Sequence, residues 1–361
     1  MQTQMFYLEM LAPLHLGERG VGLEETNVIA HADTLFSALC VAYRERYGKD
    51  SLEAMVTQFP SQQRLDAAPP FLLSSAFPFI KLIDDRRLPL FPRPLIAPPG
   101  ISSIDMPALK SIKGVELVSY PIFEAWLSGN GDIITHALDN PDTLIQEKKA
   151  LVTPPEAVDI RRTFPVDEEN QVWIWRDGEV PRVTIDRITS KSEVYQAGRV
   201  RFMPGSGLWF GCQWLSADFD WPAIVTELLA LLGDAGLGGE RSAGHGQFRI
   251  AYTEQVDLPA NGDHFVTLSP CWPSSPEEAA RLLDQDAQYT LLTRRGWMGS
   301  PEPGGRNLRR KSVRMLGEGS LLGGGGTVAG SLADVTPAAF TAHRVYRYGI
   351  ALQVGVGWEA S

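Results

Sequence analysis

The chain is 361 residues long, with 44% hydrophobic and 21% charged residues, enough apolar material for a sizeable core, which excludes wholesale disorder. Its length predicts about two domains. Acidic residues number 43 against 33 basic ones, a formal charge of −10, which excludes a uniformly basic nucleic-acid coat but leaves room for a local basic track. The 34 glycines and 26 prolines predict many loops and turns. No apolar run approaches the ~18 residues of a membrane helix. Met1–Met10 contains Glu9 and no basic leader, so no secretory signal is expected. Cys40, Cys212 and Cys271 are far apart in the chain and form no Cys-x-x-Cys pair. Neither a disulfide framework nor a zinc site is expected, no metal or cofactor is implied, and a reduced, cytoplasmic setting fits.

Residues 4–12 (QMFYLEMLA) read as a strand, followed by a glycine-rich turn from His15 to Gly22. Asp33 stands at the N-cap position of a helix over 34–47, with Leu35, Leu39, Ala42 and Tyr43 at helical spacing and Gly48 as its stop. Residues 84–110 carry six prolines and read as an extended surface connection, with neither a helix nor a central strand. Residues 153–195 read as an inserted hairpin or arm, with a strand over 171–176 and a turn at Asp177-Gly178. A β-favouring run follows at 205–216, then a helix over 221–233 capped by Asp220, a glycine-rich loop at 236–246, and a strand at 247–253. The grammar then restarts. A strand at 264–268 leads to a helix capped by Ser274 or Ser275, a strand at 288–295, an Arg-rich loop at 299–311, a strand at 312–316 and a last strand at 345–355. Tetraglycine 323–326 holds no packed element. Strand–helix–strand order at both ends predicts two α+β domains, each a sheet with helices on one face.

The loop at 236–246 is the sharpest feature. Gly236, Gly238, Gly239, Gly244 and Gly246 surround Arg241, Ser242 and His245. Such glycines permit positive φ and close approach of a ligand, free N–H groups make an anion-binding concavity, and Arg241 adds a donor fork suited to phosphate. No Gly-Lys-Ser/Thr ends the loop, and it follows a helix rather than a strand, so it is neither a Walker loop nor a dinucleotide fingerprint. Phosphate-backbone binding and a plain structural loop are the two readings.

Local charge points the same way. Segment 181–201 sets Arg182, Arg187, Lys191, Arg199 and Arg201 against two acids, and segment 294–314 sets seven basic residues against Glu302. Such clustering is understandable if a polyanion neutralises it, with Tyr195, Phe202 and Trp297 nearby to stack on unpaired bases. An acidic protein partner is the alternative. Catalytic signals are weaker: His15 could serve as a general base for RNA cleavage, but no metal-hydrolase spacing and no Gly-x-Ser-x-Gly elbow is present. His136, His264 and His343 have no visible partners in the sequence.

Four stretches together resemble a known family: Pro13–Gly17 (PLHLG), His31–Leu39 (HADTLFSAL), Val183–Tyr195 (VTIDRITSKSEVY) and Gly236–Phe248 (GLGGERSAGHGQF), with Leu291–Trp297 and Arg309–Leu322 in support. The chain resembles the RAMP superfamily of CRISPR proteins and, more closely, the fourth-subunit family of type III-A (Csm) effector complexes. The resemblance implies two ferredoxin-like (RRM-related) domains, placed at 1–254, with an insertion at about 84–195, and at 255–361. It implies a non-catalytic, RNA-binding subunit in antiviral defence that grips the repeat-derived 5′ tag of the guide RNA (crRNA). Its partners would be the large Palm-domain polymerase-like subunit and the backbone RAMP subunits, with no membrane. The arm at 153–195 becomes the candidate thumb. Gly238, Gly239, Arg241, Ser242, Gly244, His245, Arg187, Lys191, Arg199, His15 and Gly17 become the RNA-facing set. Glu240, inside the loop, and the negative overall charge depart from the pattern of an RNA binder. A RAMP-family endoribonuclease using His15 as base, with Arg19 as the cationic group, is the alternative activity.

Overall fold

The strand Gln2–Met10 (β1) has Phe6 and Leu8 on one face and Met5 and Tyr7 on the other, all four buried. A strand that is apolar on both faces belongs in the middle of a covered sheet, and β1 is flanked on both sides. In the computed structural model, residues 2–17, 27–101, 105–185, 192–259, 262–300, 302, 305 and 308–357 are described. The chain runs from β1 through the helix Ala32–Tyr47 (α1) to the strand Phe77–Lys81 (β2). It returns much later as the strand Ser206–Trp214 (β3), the helix Trp221–Ala235 (α2) and the strand Phe248–Asp257 (β4). The four strands lie in the order β4-β1-β3-β2, every neighbour antiparallel. This is a split βαβ arrangement. Phe6 of β1 stacks on Phe210 of β3 with ring centroids 5.2 Å apart.

Everything between β2 and β3 is inserted, and its first part extends the same sheet. Strand Arg87–Pro92 pairs with β2, followed by Leu117–Ser119, Ala150–Leu151 and Leu144–Ile145, and with Phe71–Leu73 paired to β3 the sheet has nine strands. The Pro-rich stretch therefore departs from the surface connection expected of it. Leu90, Phe91 and Pro92 are buried in a strand, and Pro107 opens the helix Met106–Lys113. Pro89 and Pro92 each stand last in their pairing segment, where a missing N–H ends a ladder rather than interrupting it. Pro107 sits in the first turn, where its N–H would be unpaired anyway.

The arm is also placed differently. Residues 154–163 are a helix opened by a Thr153–Glu156 capping box, with Ala157 and Ile160 in the core. The projecting hairpin is formed by Trp175–Ile185 and Ser192–Phe202. Asp177 and Gly178, read as a turn, lie within its first strand, paired with Val200 and Arg199. The register is fixed instead by Trp175 and Phe202, a buried pair at its base.

The C-terminal residues build smaller units. His264–Thr267 (β5) sits between Leu321–Gly323 (β8) and Gln353–Gly355 (β9), and Leu291–Arg294 (β6) pairs with Val313–Leu316 (β7). Gly323, in the stretch read as unstructured, closes β8. Pro276–Leu282 (α3), capped by Ser275, is the one helix among the described residues after 260. The expected strand 345–355 is broken into Tyr346–Arg347 and β9, because Tyr348, Ile350 and Leu352 between them turn into the shared core. The two halves meet through backbone and side chains: Ser75 N–H donates to Leu268 O at 2.8 Å, Leu332 N–H to Pro60 O at 2.8 Å, and Leu73 N–H to the Tyr348 hydroxyl at 2.9 Å. No described helix is long and apolar enough to cross a membrane.

Candidate nucleic-acid interface

The glycine-rich loop starts at Gly236, which ends α2, and returns into β4. Most of its glycines serve the protein's own packing. A Cβ on Gly246 would stand 2.0 Å from the Leu237 carbonyl oxygen, one on Gly238 2.4 Å from the His15 carbonyl oxygen, and one on Gly239 2.7 Å from the His15 ring. The expectation that these glycines make room for a ligand is therefore corrected: they make room for His15 and for the loop's return. Only Gly244, at φ 78°, combines the left-handed region with open space. The loop's N–H groups are similarly committed. Gly239 donates to His15 O at 2.8 Å, Gly246 to Pro13 O at 2.8 Å, and Gly244 to Arg241 O at 2.9 Å. The N–H groups of Arg241 and Ser242, which open a single 3₁₀ turn, have no acceptor among the described residues. The anion-binding concavity thus narrows to Arg241 and Ser242, both exposed with Gly244.

His15 joins three elements. Its residue bridges Gly238, its neighbour Leu14 bridges Val200 of the hairpin, and its Nδ1 lies 2.5 Å from the Gly198 carbonyl oxygen. A carbonyl only accepts, so Nδ1 carries the hydrogen and Nε2 keeps its lone pair, set between Gly17 and Gly239. The ring is 5% exposed. Glu240 reaches Arg182 of the hairpin at 4.0 Å, which answers the acid's presence in the loop: it faces a cation of its own chain. His245 is buried beside them, and burial followed by the Arg182 charge lowers its pKa below the ordinary histidine value.

These pieces wall a cleft of about 340 Å³ whose opposite side comes from α1 and the C-terminal Arg-rich segment. His15, Gly17, Gly238, Gly239 and Arg241 line it together, with Arg294, Arg310 and Trp297 across from them. Ser242, Gly244, His245 and Arg199 are not part of its lining; Arg199 is half-buried on the hairpin opposite Gly178. Arg187, Lys191 and Arg19 lie outside the described residues.

The floor of the cleft overturns the reading of Asp33. Helix α1 begins at Ala32, with His31 at the N-cap position, and the Ser75 hydroxyl accepts the Ala32 N–H at 2.9 Å. With capping met from outside, Asp33 is 0% exposed and receives Arg294 through Nη2 at 2.9 Å and Nε at 3.2 Å, and Arg347 through Nη1. Burial opposes its ionisation, but the two guanidinium groups prevail and hold its pKa well below the usual carboxylate range. His31 Nδ1 and Glu318 Oε1, 2.6 Å apart, form a second buried pair beside it. The segment 294–314 is thus not a uniformly solvated basic face. Arg294 is internal, whereas Trp297 is 58% exposed with Arg309 stacked over its ring at 4.7 Å. Sequence spacing held no signal for Arg347 or Glu318 as members of this neighbourhood, and it marked Arg182 only as part of a basic segment. His264, read as unpartnered, bonds Asp284 at 2.9 Å, and His343 bonds Ser300 at 2.9 Å.

The family model of the CRISPR Csm4 C-terminal domain matches residues 260–356. A curated Csm4 protein from Thermococcus onnurineus is 26% identical over 333 residues, 91% of this chain and 92% of that protein. The likeness to Csm4 proteins thus extends over nearly the whole chain. A Csm4 protein from Methanocaldococcus jannaschii is 24% identical over 292 residues, 77% of this chain and 68% of that one. Among solved structures, a chain of the Csm3–Csm4 subcomplex of a type III-A interference complex aligns with TM-score 0.64 and 18% identity, over 98% of this chain and 99% of that chain. A chain of a Csm1–Csm4 cassette bound to pppApA aligns with TM-score 0.57 and 18% identity, over 99% and 98%. At these identities the solved structures speak for the fold, which is that of Csm4 proteins along nearly the whole chain.

Proposed function

We propose that this chain is a Csm4-family, non-catalytic subunit of a type III-A CRISPR effector complex. It holds the repeat-derived 5′ tag of the guide RNA and docks the large Palm-domain subunit and a backbone RAMP subunit, in the cytoplasm. The observation that carries the reading is the position of the glycine-rich loop. Arg241 lines an arginine-rich cleft, with Ser242 and Gly244 exposed beside it in the loop, and the hairpin that would act as thumb is bonded to the same loop through His15 and Glu240. Guanidinium groups and free N–H groups bind phosphates, while aromatic faces such as Trp297 take unstacked bases. The names of the related assemblies, Csm3–Csm4 and Csm1–Csm4, support the choice of partners. On this reading residues 1–254 and 255–361 are two ferredoxin-like domains, the first interrupted by the insertion at about 84–195. Gly17, His15 and Arg199 extend the track from cleft to thumb, and Arg187 and Lys191 are further RNA contacts on this reading. In complexes assembled with Arg241→Ala or Arg187→Ala, guide RNA is lost at elevated salt; full guide occupancy in both variants overturns the reading.

His15 supports one second reading, since it lines the cleft and its Nδ1 is held by the Gly198 carbonyl, which leaves Nε2 as the nitrogen a general base would use. Cleavage of labelled repeat RNA by the purified protein, abolished in His15→Ala, would make the chain an endoribonuclease instead.

A further inference from the structure

The charges at the cleft floor do not balance. Three guanidinium groups, Arg294, Arg310 and Arg347, gather around one carboxylate, Asp33. Asp33 is consumed by Arg294 and Arg347, and the other buried acid, Glu318, is consumed by His31 and Ser75. Arg310 makes no ion pair among the described residues, and its Nε is buried without an acceptor. Burial, then the Arg347 charge, pushes its pKa down to about 10, so it remains a cation in a positive field at working pH. A partly buried guanidinium without a partner destabilises the fold that holds it, unless something else supplies the counter-charge. Arg310 and Arg241 line the same cleft, and Arg241 also lacks an ion pair among the described residues. The Thr34 hydroxyl, which accepts from Arg294 and keeps its own hydrogen, and the Trp297 ring complete the wall.

We infer that this cleft is an anion site in which Arg310, with Arg241 at the rim, takes a single phosphate group out of bulk water. The inference rests on the RNA reading above only for the source of that phosphate. Arg310 would be the deep anchor and the exposed loop the guide, so one contact of the RNA track would resist salt better than the rest.

The test uses the full chain and two probes. With inorganic phosphate, thermal melting of the wild type shifts upward as phosphate is added, and that of Arg310→Gln and Arg310→Met does not. Without phosphate, both variants melt at or above the wild type, because an uncompensated charge has been removed. With a single-stranded RNA oligomer, Arg310→Gln binds about tenfold more weakly, and that loss persists as salt is raised, because a contact taken out of bulk water is weakly screened. Loss for 5′-hydroxyl and 5′-phosphate oligomers alike assigns an internal phosphodiester to the site; loss for the phosphorylated oligomer alone assigns a terminal group. An undiminished phosphate shift in both variants, or variants that melt lower while binding RNA as the wild type does, overturns the site. Should the wild type bind no RNA but keep its Arg310-dependent phosphate shift, the RNA reading falls and the anion site stands.

Discussion

Residues 2–257 hang on long strands: β1 and β3 have nine residues and β4 has ten. After residue 260 no described strand exceeds four. The first region is ordered by alternating apolar side chains and continuous ladders, so its stability is spread over many similar contacts. The second is glycine-rich and short of regular structure, and besides the core it shares with the first it is fastened by discrete polar ties: Asp33 to Arg294 and Arg347, Glu318 to His31 and Ser75, Tyr348 to the Leu73 N–H. Distributed contacts tolerate the loss of one member, whereas discrete buried ties do not.

The contrast can be broken most forcefully at Asp33. Asp33→Ala leaves Arg294 and Arg347 buried and unpaired, at a cost of ~3–5 kcal/mol. Urea unfolding measures it, and amide exchange in β6 and β7 should accelerate before that in β1. The same pair sets a pH response. Because the folded pKa of Asp33 lies below its unfolded value, its stabilisation is complete above the ordinary aspartate value of about 3.9 and is lost as pH falls toward the folded one. Asp33→Asn should flatten that acid limb. Within the loop, Gly246→Ala forces a Cβ onto a backbone carbonyl at positive φ and costs ~2–3 kcal/mol, whereas Gly244→Ala, at positive φ in open space, costs ~1 kcal/mol. Equal losses would show that conformation alone, not close packing, sets the loop's glycine content. The smallest effect is at α3: Ser275→Ala removes the acceptor of the Glu278 N–H and costs about 1 kcal/mol, which differential melting resolves.

What could be read in the sequence was local and periodic. Helices α1 and α2 lie within a few residues of their expected bounds, and Asp220 caps α2 as its spacing predicts. The loop at 236–246 was marked by glycine content, and it does border the cleft. What escaped were pairings over long sequence separations. Asp33 has the residue type and spacing of a cap, yet Ser75, 43 positions from Ala32, takes that role and frees the carboxylate for arginines some 260 to 310 residues away. Prolines misled because their cost in a strand depends on where the ladder ends, which Pro89 and Pro92 share with partners chosen by tertiary structure. Asp177-Gly178 carries a strong turn signature, overridden by an eleven-residue register.

One imidazole has a mechanical consequence. The His15 main chain is tied to Gly238 and Gly239, and its ring to the carbonyl of Gly198 in the hairpin. A lateral load applied to the hairpin is therefore delivered to the glycine-rich loop through this buried joint, beside the Glu240–Arg182 pair, and part of its stiffness comes from a hydrogen bond shielded from water.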